Sequence, residues 1–294
     1  MNTLTILVGL PGVGKDSLIK QRRWDISQEI LSSDKLRIEL YGNEDQMHNK
    51  EVFQEMNKRA KDAGKLGKNV IYNATNINRD RRVALAQEMK KYFTKINVVM
   101  CVCSIETLLK RNKTREERHL PVDKLKQMIR SFQIPTLYEY HYDDIEYVYT
   151  QKDRPYLMRD NIGTLMNYDQ HNKHHSESLG QHILRVVDYC KENKKACYAA
   201  LYHDLGKPFC KTTDEEGYCH YIGHSLVSAY MYLVDTIGRD FDPEIALLIE
   251  FHDYVFNFNC YEDMKKRLLA KYPGLDDDFF EALRLLTEGD RLRP

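Results

Sequence analysis

The sequence predicts an α/β domain with a parallel sheet, followed by an all-α domain. Three observations carry this. The loop Gly9-Leu-Pro-Gly-Val-Gly14-Lys15 directly follows the apolar run 4–8, strand-like runs alternate with helical spacing up to about residue 150, and helical spacing alone continues beyond it. A strand that feeds such a loop builds a cradle for nucleotide phosphates. Its glycines let successive N–H groups turn toward one anion, the next helix adds its positive end, and the lysine reaches the β and γ oxygens. The predicted nucleotide contacts are therefore Gly9, Pro11, Gly12, Val13, Gly14, Lys15, Asp16 and Ser17. A Ser or Thr after the lysine commonly binds Mg2+. Here Asp16 holds that place and Ser17 comes one later.

The remaining strands of the first half are read at 30–31, 69–72, 96–102 and 145–149, with amphipathic stretches between them as crossover helices. After the polar segment 151–155, helical spacing covers 178–191, 196–205, 224–237, 243–252 and 277–288. The expected domains are 1–152 and 160–294. No internal repeat or low-complexity tract interrupts them.

A chain of 294 residues, 42% hydrophobic and 30% charged, has room for two globular cores. No stretch approaches the roughly 18–20 uncharged apolar residues of a membrane span. The start Met-Asn-Thr-Leu-Thr lacks a basic leader region, so a cytoplasmic protein without a membrane role is expected. Seven cysteines are scattered without a CxxC pair and read as reduced thiols. Net charge is zero, yet residues 1–150 carry 26 Lys+Arg against 20 Asp+Glu, and residues 151–294 carry 18 against 24. A basic first half suits a polyanionic substrate.

Three clusters join the cradle in the first half. Ser33-Asp34-Lys35-Leu36-Arg37 follows the second strand, where a carboxylate and an arginine one helical turn later can face one cleft. Asp34 can accept a hydroxyl proton there, or cap a helix over 35–40. After the third strand, Asn73 to Arg82 offers small polar groups to orient a substrate, with Arg81 or Arg82 for phosphate. The run Lys110 to Arg118 ends a helix and reads as a basic lid.

Those residues, GLPGVGK, the D-x-x-R of Asp34 to Arg37, the T-N-x-N-x-x-R-R of Thr75 to Arg82 and the R-N-x-x-R of Arg111 to Arg115 with Pro121 beyond, make residues 1–140 resemble the 5'-kinase domain of phage polynucleotide kinases. The resemblance implies a P-loop kinase fold using ATP and Mg2+. It implies Asp34 as general base for a 5'-OH, Arg37 on the 3'-phosphate beside it, and Arg115, with Arg111, as the lid on the donor phosphates. Lys15 would stabilise the group in transfer. Asp16 and Asn73 depart from the pattern, since family members often carry an aspartate where Asn73 stands.

In the second half, His182, His203, Asp204, His224, His252 and Asp290 each sit in a helical pattern or at its edge. His203 and Asp204, counted as helical neighbours about 100° apart, can serve adjacent coordination sites. Imidazole plus carboxylate suits Fe, Mn, Co, Ni or Zn. The H…HD…D order of His182, His203-Asp204 and Asp290 resembles the HD phosphohydrolase superfamily. The stretches 174–177, 200–208 and 221–224 are most like the HD domain of bacterial CCA-adding tRNA nucleotidyltransferases. The resemblance implies that His182, His203, Asp204 and Asp290 hold one metal, with His224 and His252 holding a second, bridged through Asp204. Lys207 reads as a contact to substrate phosphate or as a helix-end cation. His171, His174, His175 and His220 receive no role.

Together the two resemblances imply an end-healing enzyme. One half would phosphorylate 5'-OH ends, and the other would open 2',3'-cyclic phosphates or remove 3'-phosphates. Its partners would be RNA or DNA ends, RNA favoured, and a separate ligase. A metabolite kinase fused to a nucleotide phosphohydrolase would instead act on mononucleosides only. A nucleotide sensor would tolerate loss of every second-half ligand.

Overall fold

The apolar runs of the first half become five strands because β-branched and other apolar residues, buried on both faces, favour a parallel sheet covered by helices. The computed structural model describes residues 1–43, 46–115, 119–153, 157–171, 177–258 and 260–292. Its first elements are β1 (Thr3–Val8), α1 (Lys15–Gln21), α2 (Trp24–Ser27), β2 (Glu29–Ser32), α3 (Ser33–Tyr41), α4 (Asn49–Lys65) and β3 (Val70–Asn73). Next come α5 (Arg79–Met89), β4 (Lys95–Val102), α6 (Ile105–Lys113), α7 (Val122–Arg130) and β5 (Asp144–Tyr149). The strands are all parallel, in the order β2-β3-β1-β4-β5. Leu4 of β1 stands opposite Val70 on one side and Ile96 on the other. The chain thus leaves β1 toward one side and later crosses to the other. In such sheets the crevice at the carboxyl end of the central strand receives the ligand.

The second half continues with α8 (Leu157–Met166), α9 (Leu179–Tyr189), α10 (Lys194–Tyr202) and α11 (Lys207–Cys210). A two-stranded antiparallel ribbon follows, β6 (Thr212–Thr213) with β7 (Cys219–His220), and then α12 (His224–Thr236), α13 (Pro243–Phe251), α14 (Tyr261–Lys271) and α15 (Asp277–Arg291). The ribbon and an isolated antiparallel bridge between Asp169 and Ser178 depart from the all-α expectation. Local sequence starts four of the helices: Ser178 closes a capping box with Gln181 before α9, and Asn193, Asp242 and Asp276 cap α10, α13 and α15. The core between α9, α10, α13 and α15 is built from fully buried side chains such as Ile183, Ala199, Leu248 and Leu283.

The chain forms two compact units, Met1–Leu120 with Pro135–Thr150, and Pro121–Ile134 with Gln151–Pro294. The sequence reading kept 121–134 inside the first domain, 1–152. In the structure α7 packs on α12, and Phe132 meets Tyr230 edge-on at 5.3 Å. An amphipathic helix reveals its apolar face to sequence reading, but not which core that face joins. No helix among the described residues is long and apolar enough to cross a membrane.

Candidate functional site

The glycine cradle lies between the end of β1 and α1. Gly14, the residue before α1, has φ +109°, and Gly12 has φ +81°. A side chain would be strained at both, and this backbone lets the loop's N–H groups face inward. Lys15 Nζ folds back and donates to Gly9 O at 2.8 Å and Leu10 O at 3.2 Å. Burial lowers its pKa, while Asp16 and Asp34 pull the other way.

Arg111 braces the loop. Its guanidinium donates to Val13 O at 2.9 Å and to Thr150 O at 2.7 Å, while the Thr150 hydroxyl donates to Val13 O. Arg115 overhangs the cradle, its Nη1 3.9 Å from where a Cβ on Gly12 would stand. A cavity of about 300 Å³ opens beside the loop, lined by Gly12, Gly14, Ser17, Leu18, Gln21, Arg111 and residues 148–150. Pro11 is half-buried and Val13 fully buried in the turn. Arg118 lies outside the described residues.

Asp34 sits within the first turn of α3. The cap of that helix is Ser32, whose Oγ accepts from Lys35 N at 3.5 Å, so the cap reading of Asp34 is overturned. Arg37 Nη1 donates to Asp34 Oδ1 at 2.9 Å, and Nη2 donates to Asn49 Oδ1 at 2.6 Å. The arginine side chain is 4% exposed and the aspartate 43%. A buried guanidinium thus orients a carboxylate that still reaches solvent. The two departures from the usual pattern meet each other: Asn73 Nδ2 donates to Asp16 Oδ1 at 2.8 Å. Asp16 thereby presents a hard oxygen donor beside the cradle, of the kind Mg2+ takes.

Three residues of the segment after β3 are committed to the fold. Asn76, at φ +48°, donates to Leu7 O at 2.7 Å, and Asn78 caps α5. Arg82, expected to contact phosphate, is fully buried. It donates to Asn76 O at 2.9 Å and stands 3.6 Å from Glu139 Oε1. Arg81 points to solvent.

In the second unit the six predicted ligands converge. The sequence reading put His203 and Asp204 within one helix, but α10 ends at Tyr202 and the pair occupies the turn that follows. Three histidines have a fixed tautomer. The Nδ1 atoms of His203, His224 and His252 lie 2.6, 2.9 and 2.7 Å from the carbonyl oxygens of Ala200, Tyr221 and Ile249. A carbonyl only accepts, so each Nδ1 donates and each Nε2 turns inward. His182 Nδ1 faces Glu177 Oε1 at 3.2 Å and Arg185 Nη2 at 2.8 Å. Arg185 also donates to Glu177 at 2.7 Å and to Gly289 O at 3.0 Å.

His182 Nε2 is 2.9 Å from Asp290 Oδ1 and 3.2 Å from Asp204 Oδ2; His203 Nε2 is 3.4 and 3.3 Å from the same oxygens. The other oxygen of Asp204, Oδ1, lies 3.0 Å from His224 Nε2 and 3.8 Å from His252 Nε2. Asp204 therefore faces two histidine pairs, one with each oxygen. Its Oδ2, fully buried, accepts no directed hydrogen bond, although Lys207 Nζ is 2.6 Å away. Convergent Nε2 atoms around both oxygens of a buried carboxylate fit divalent transition ions. Burial opposes charge on His203, but Asp204 and Asp290 outweigh it and push its pKa up to about 10. Burial likewise opposes charge on Asp204, yet Lys207 and the imidazoles hold it well below the ordinary carboxylate range. His252 is pushed down by burial.

Lys207 is the first residue of α11. It is buried, and besides Asp204 it reaches Gln170 Oε1 at 2.9 Å. The helix-end alternative, a cation at a helix C-terminus, does not describe it. Sequence reading missed Asp253, Glu177, Arg185 and Gln170. Asp253 had a signal, because His252-Asp253 repeats the dipeptide His203-Asp204. Among the histidines left without a role, His220 Nε2 pairs with Asp214 Oδ2 at 2.7 Å on the ribbon, and His171 stacks near Tyr218. His174 and His175 lie outside the described residues.

Comparison with known proteins bears on the first unit. No curated protein matches the chain. Among solved structures it is similar to a chain of the Pnkp1/Rnl/Hen1 RNA repair complex, at 20% identity and a TM-score of 0.41, over 44% of this chain and 43% of that one. The match thus spans less than half of that relative. A candidate kinase from Chloroflexus aurantiacus is similar at 20% identity and a TM-score of 0.42, over 52% of this chain and 92% of that one. A sugar kinase from a Janibacter species follows at 11% and 0.40, over 52% and 88%. Residues 4–135 match the family described as an AAA domain, and with the parallel sheet and glycine cradle they make the N-terminal part of this chain a P-loop kinase-like domain.

Proposed function

We propose that the chain is a bifunctional nucleic-acid end-healing enzyme, with a polynucleotide 5'-hydroxyl kinase in the first unit and an HD-type phosphodiesterase/phosphatase in the second. The observation that supports the reading is the presence on one chain of a glycine cradle with an arginine-held aspartate in the same unit, and of a separate buried cage of imidazoles and carboxylates.

In the kinase, Asp34 takes the proton of a 5'-OH as its oxygen bonds to the γ-phosphorus of ATP and the bond to the β–γ bridging oxygen breaks. Lys15 and Arg115 neutralise charge on the group in transfer. Arg37 is a positioning residue that aims Asp34. Arg111 holds the loop in shape. Asp16 would be the protein oxygen that holds Mg2+, which would supply further charge neutralisation.

In the second unit His182, His203, Asp204 and Asp290 would hold one ion of the Mn, Ni, Co, Fe or Zn class, and Asp204, His224 and His252 another. When bound, such ions would activate water for attack and offset charge on the phosphoester. Lys207, the cation nearest the cage, contacts the substrate phosphate. Glu177 orients His182. Opening a 2',3'-cyclic phosphate and removing the remaining monoester leaves ends that a separate ligase joins after 5' phosphorylation. RNA ends are favoured over DNA ends, and the cytoplasm is the expected compartment.

The test uses the full chain with γ-labelled ATP and 5'-OH oligonucleotides. Asp34→Ala and Lys15→Ala should abolish labelling and leave hydrolysis of 3' ends intact, and the double replacement His203→Ala with Asp204→Ala should do the reverse. Labelling of nucleosides without labelling of oligomers would replace this reading with the metabolite-kinase one.

A further inference from the structure

Asp253 directly follows His252, just past the end of α13. Its Oδ2 lies 3.1 Å from His224 Nε2, and its Oδ1 lies 3.4 Å from His252 Nε2. We propose that Asp253 is a ligand of the second ion, so that the cage is two half-sites of equal composition, each with two imidazoles and two carboxylates, sharing Asp204. The proposal rests on the reading of the cage as a metal centre.

The first half-site sets the comparison. There Asp290 Oδ1 lies 2.9 and 3.4 Å from the two Nε2 atoms, and Asp204 Oδ2 lies 3.2 and 3.3 Å from them. In the second, Asp253 takes the place of Asp290, and Asp204 Oδ1 replaces Oδ2 at 3.0 and 3.8 Å. Ligand atoms bonded at about 2.0–2.2 Å to one tetrahedral ion sit about 3.3–3.6 Å from one another. Asp253 meets that spacing with two oxygens where Asp290 uses one, Oδ2 toward His224 and Oδ1 toward His252, and it also groups with His252 and Asp290.

Direction strengthens the assignment. The Nδ1 atoms of His224 and His252 are committed to the carbonyls of Tyr221 and Ile249, so their Nε2 lone pairs point at the carboxylates in the neutral tautomer. Each Nε2 thus faces a carboxylate oxygen across a gap that a proton or a metal ion fills, and the two Nε2 atoms share the same pair of carboxylates. An aspartate with 37% of its side chain exposed could instead reach into water, yet both of its oxygens turn to the imidazoles. Asp290 is 12% and Asp204 1% exposed, so the second half-site is the more open of the two.

The experiment titrates Mn2+ into chelator-stripped full-length protein and counts bound ions by equilibrium dialysis, with electron paramagnetic resonance reporting coupling between neighbouring ions. Wild type should bind two ions, with a coupled signal. Asp253→Asn, which keeps the shape and removes the charge, should weaken one ion by about tenfold or more, erase the coupled signal and leave the other ion unchanged. Asp253→Ser should behave alike. ATP binding by the first unit and an unchanged circular dichroism spectrum report that each variant has folded. Two ions of unchanged affinity in Asp253→Asn would overturn the assignment while leaving the metal reading in place. Wild type that binds no Mn2+ would overturn both.

Discussion

Replacing Gly206 with alanine tests how tightly the turn that carries Asp204 is pressed against α12. An ideal Cβ on Gly206 would lie 2.6 Å from His224 O, 2.9 Å from Ser228 N and 2.9 Å from Val227 Cβ. Two of those three atoms are backbone, so no side-chain rotation relieves the overlap. Gly206 N–H also donates to Ser228 Oγ at 2.9 Å, which ties the same surfaces together. Ordinary contact requires a separation of about 0.8–1 Å, and overpacking of this kind costs about 1–3 kcal/mol. Gly206 has φ −78°, where alanine is unstrained, so a loss of unfolded-state freedom returns about 0.4–1 kcal/mol. The net expectation is a destabilisation of up to about 2.5 kcal/mol, or a fall in the melting temperature of at most about 10 °C for a unit of this size.

The more specific consequence concerns geometry. Moving the start of α12 away from the turn displaces His224 from Asp204, while His203 shares the turn with Asp204, and His182 and Asp290 sit on α9 and α15. Metal ligation tolerates only about 0.2 Å. Gly206→Ala should therefore lose the ion at His224 and His252 and keep the ion at His182 and His203, measured by metal counting beside calorimetry. A variant that melts with wild type and holds both ions would refute the reasoning.

Three further outcomes follow from the geometry. Asp16→Asn should weaken binding of Mg2+·ATP and strengthen binding of metal-free ATP, by removing a negative charge beside the phosphates; fluorescence titration with and without chelator reads both. Arg82→Ala should destabilise the first unit by about 3–5 kcal/mol in denaturant melts, because it strands Glu139 in the core, and nucleic-acid affinity per folded molecule should stay unchanged. Metal uptake should release protons at pH 7 and tighten as pH rises. His203 gains a proton in the fold, with its pKa raised from 6.5 to about 10, so in stripped protein that proton stabilises fully below pH 6.5 and is lost toward pH 10, whereas a cation must displace it. Calorimetry in buffers of different ionisation enthalpy measures the release.

Much of the architecture is local and was legible in the sequence. The glycine loop after an apolar strand, the alternation to residue 150 and the caps at Ser178, Asn193, Asp242 and Asp276 depend on neighbours in sequence. The six expected ligands are brought together for a related reason: buried His and Asp at helix ends have few other uses. Assignments that depended on distant partners fared differently. Arg82 looked like a phosphate ligand because its counter-charge, Glu139, stands 57 positions away. Asp34 looked like a cap because the helix was expected over 35–40, whereas it begins two residues earlier, at Ser33. The segment 121–134 carried no local sign that its apolar face joins the second core. Asp253 was readable from its neighbour His252, but an exposed aspartate after a helix usually means nothing more than a turn.

The most direct measurement follows both ends of one broken RNA. A fragment pair bearing a 5'-OH and a 2',3'-cyclic phosphate, incubated with the full chain, ATP, Mg2+ and Mn2+, is read by end-group analysis beside a matched DNA pair. The account predicts a 5'-phosphate on one fragment and an opened or phosphate-free 3' end on the other, with RNA turned over faster than DNA. Fragments recovered with both ends unaltered, while free nucleosides in the same mixture become phosphorylated, would contradict it.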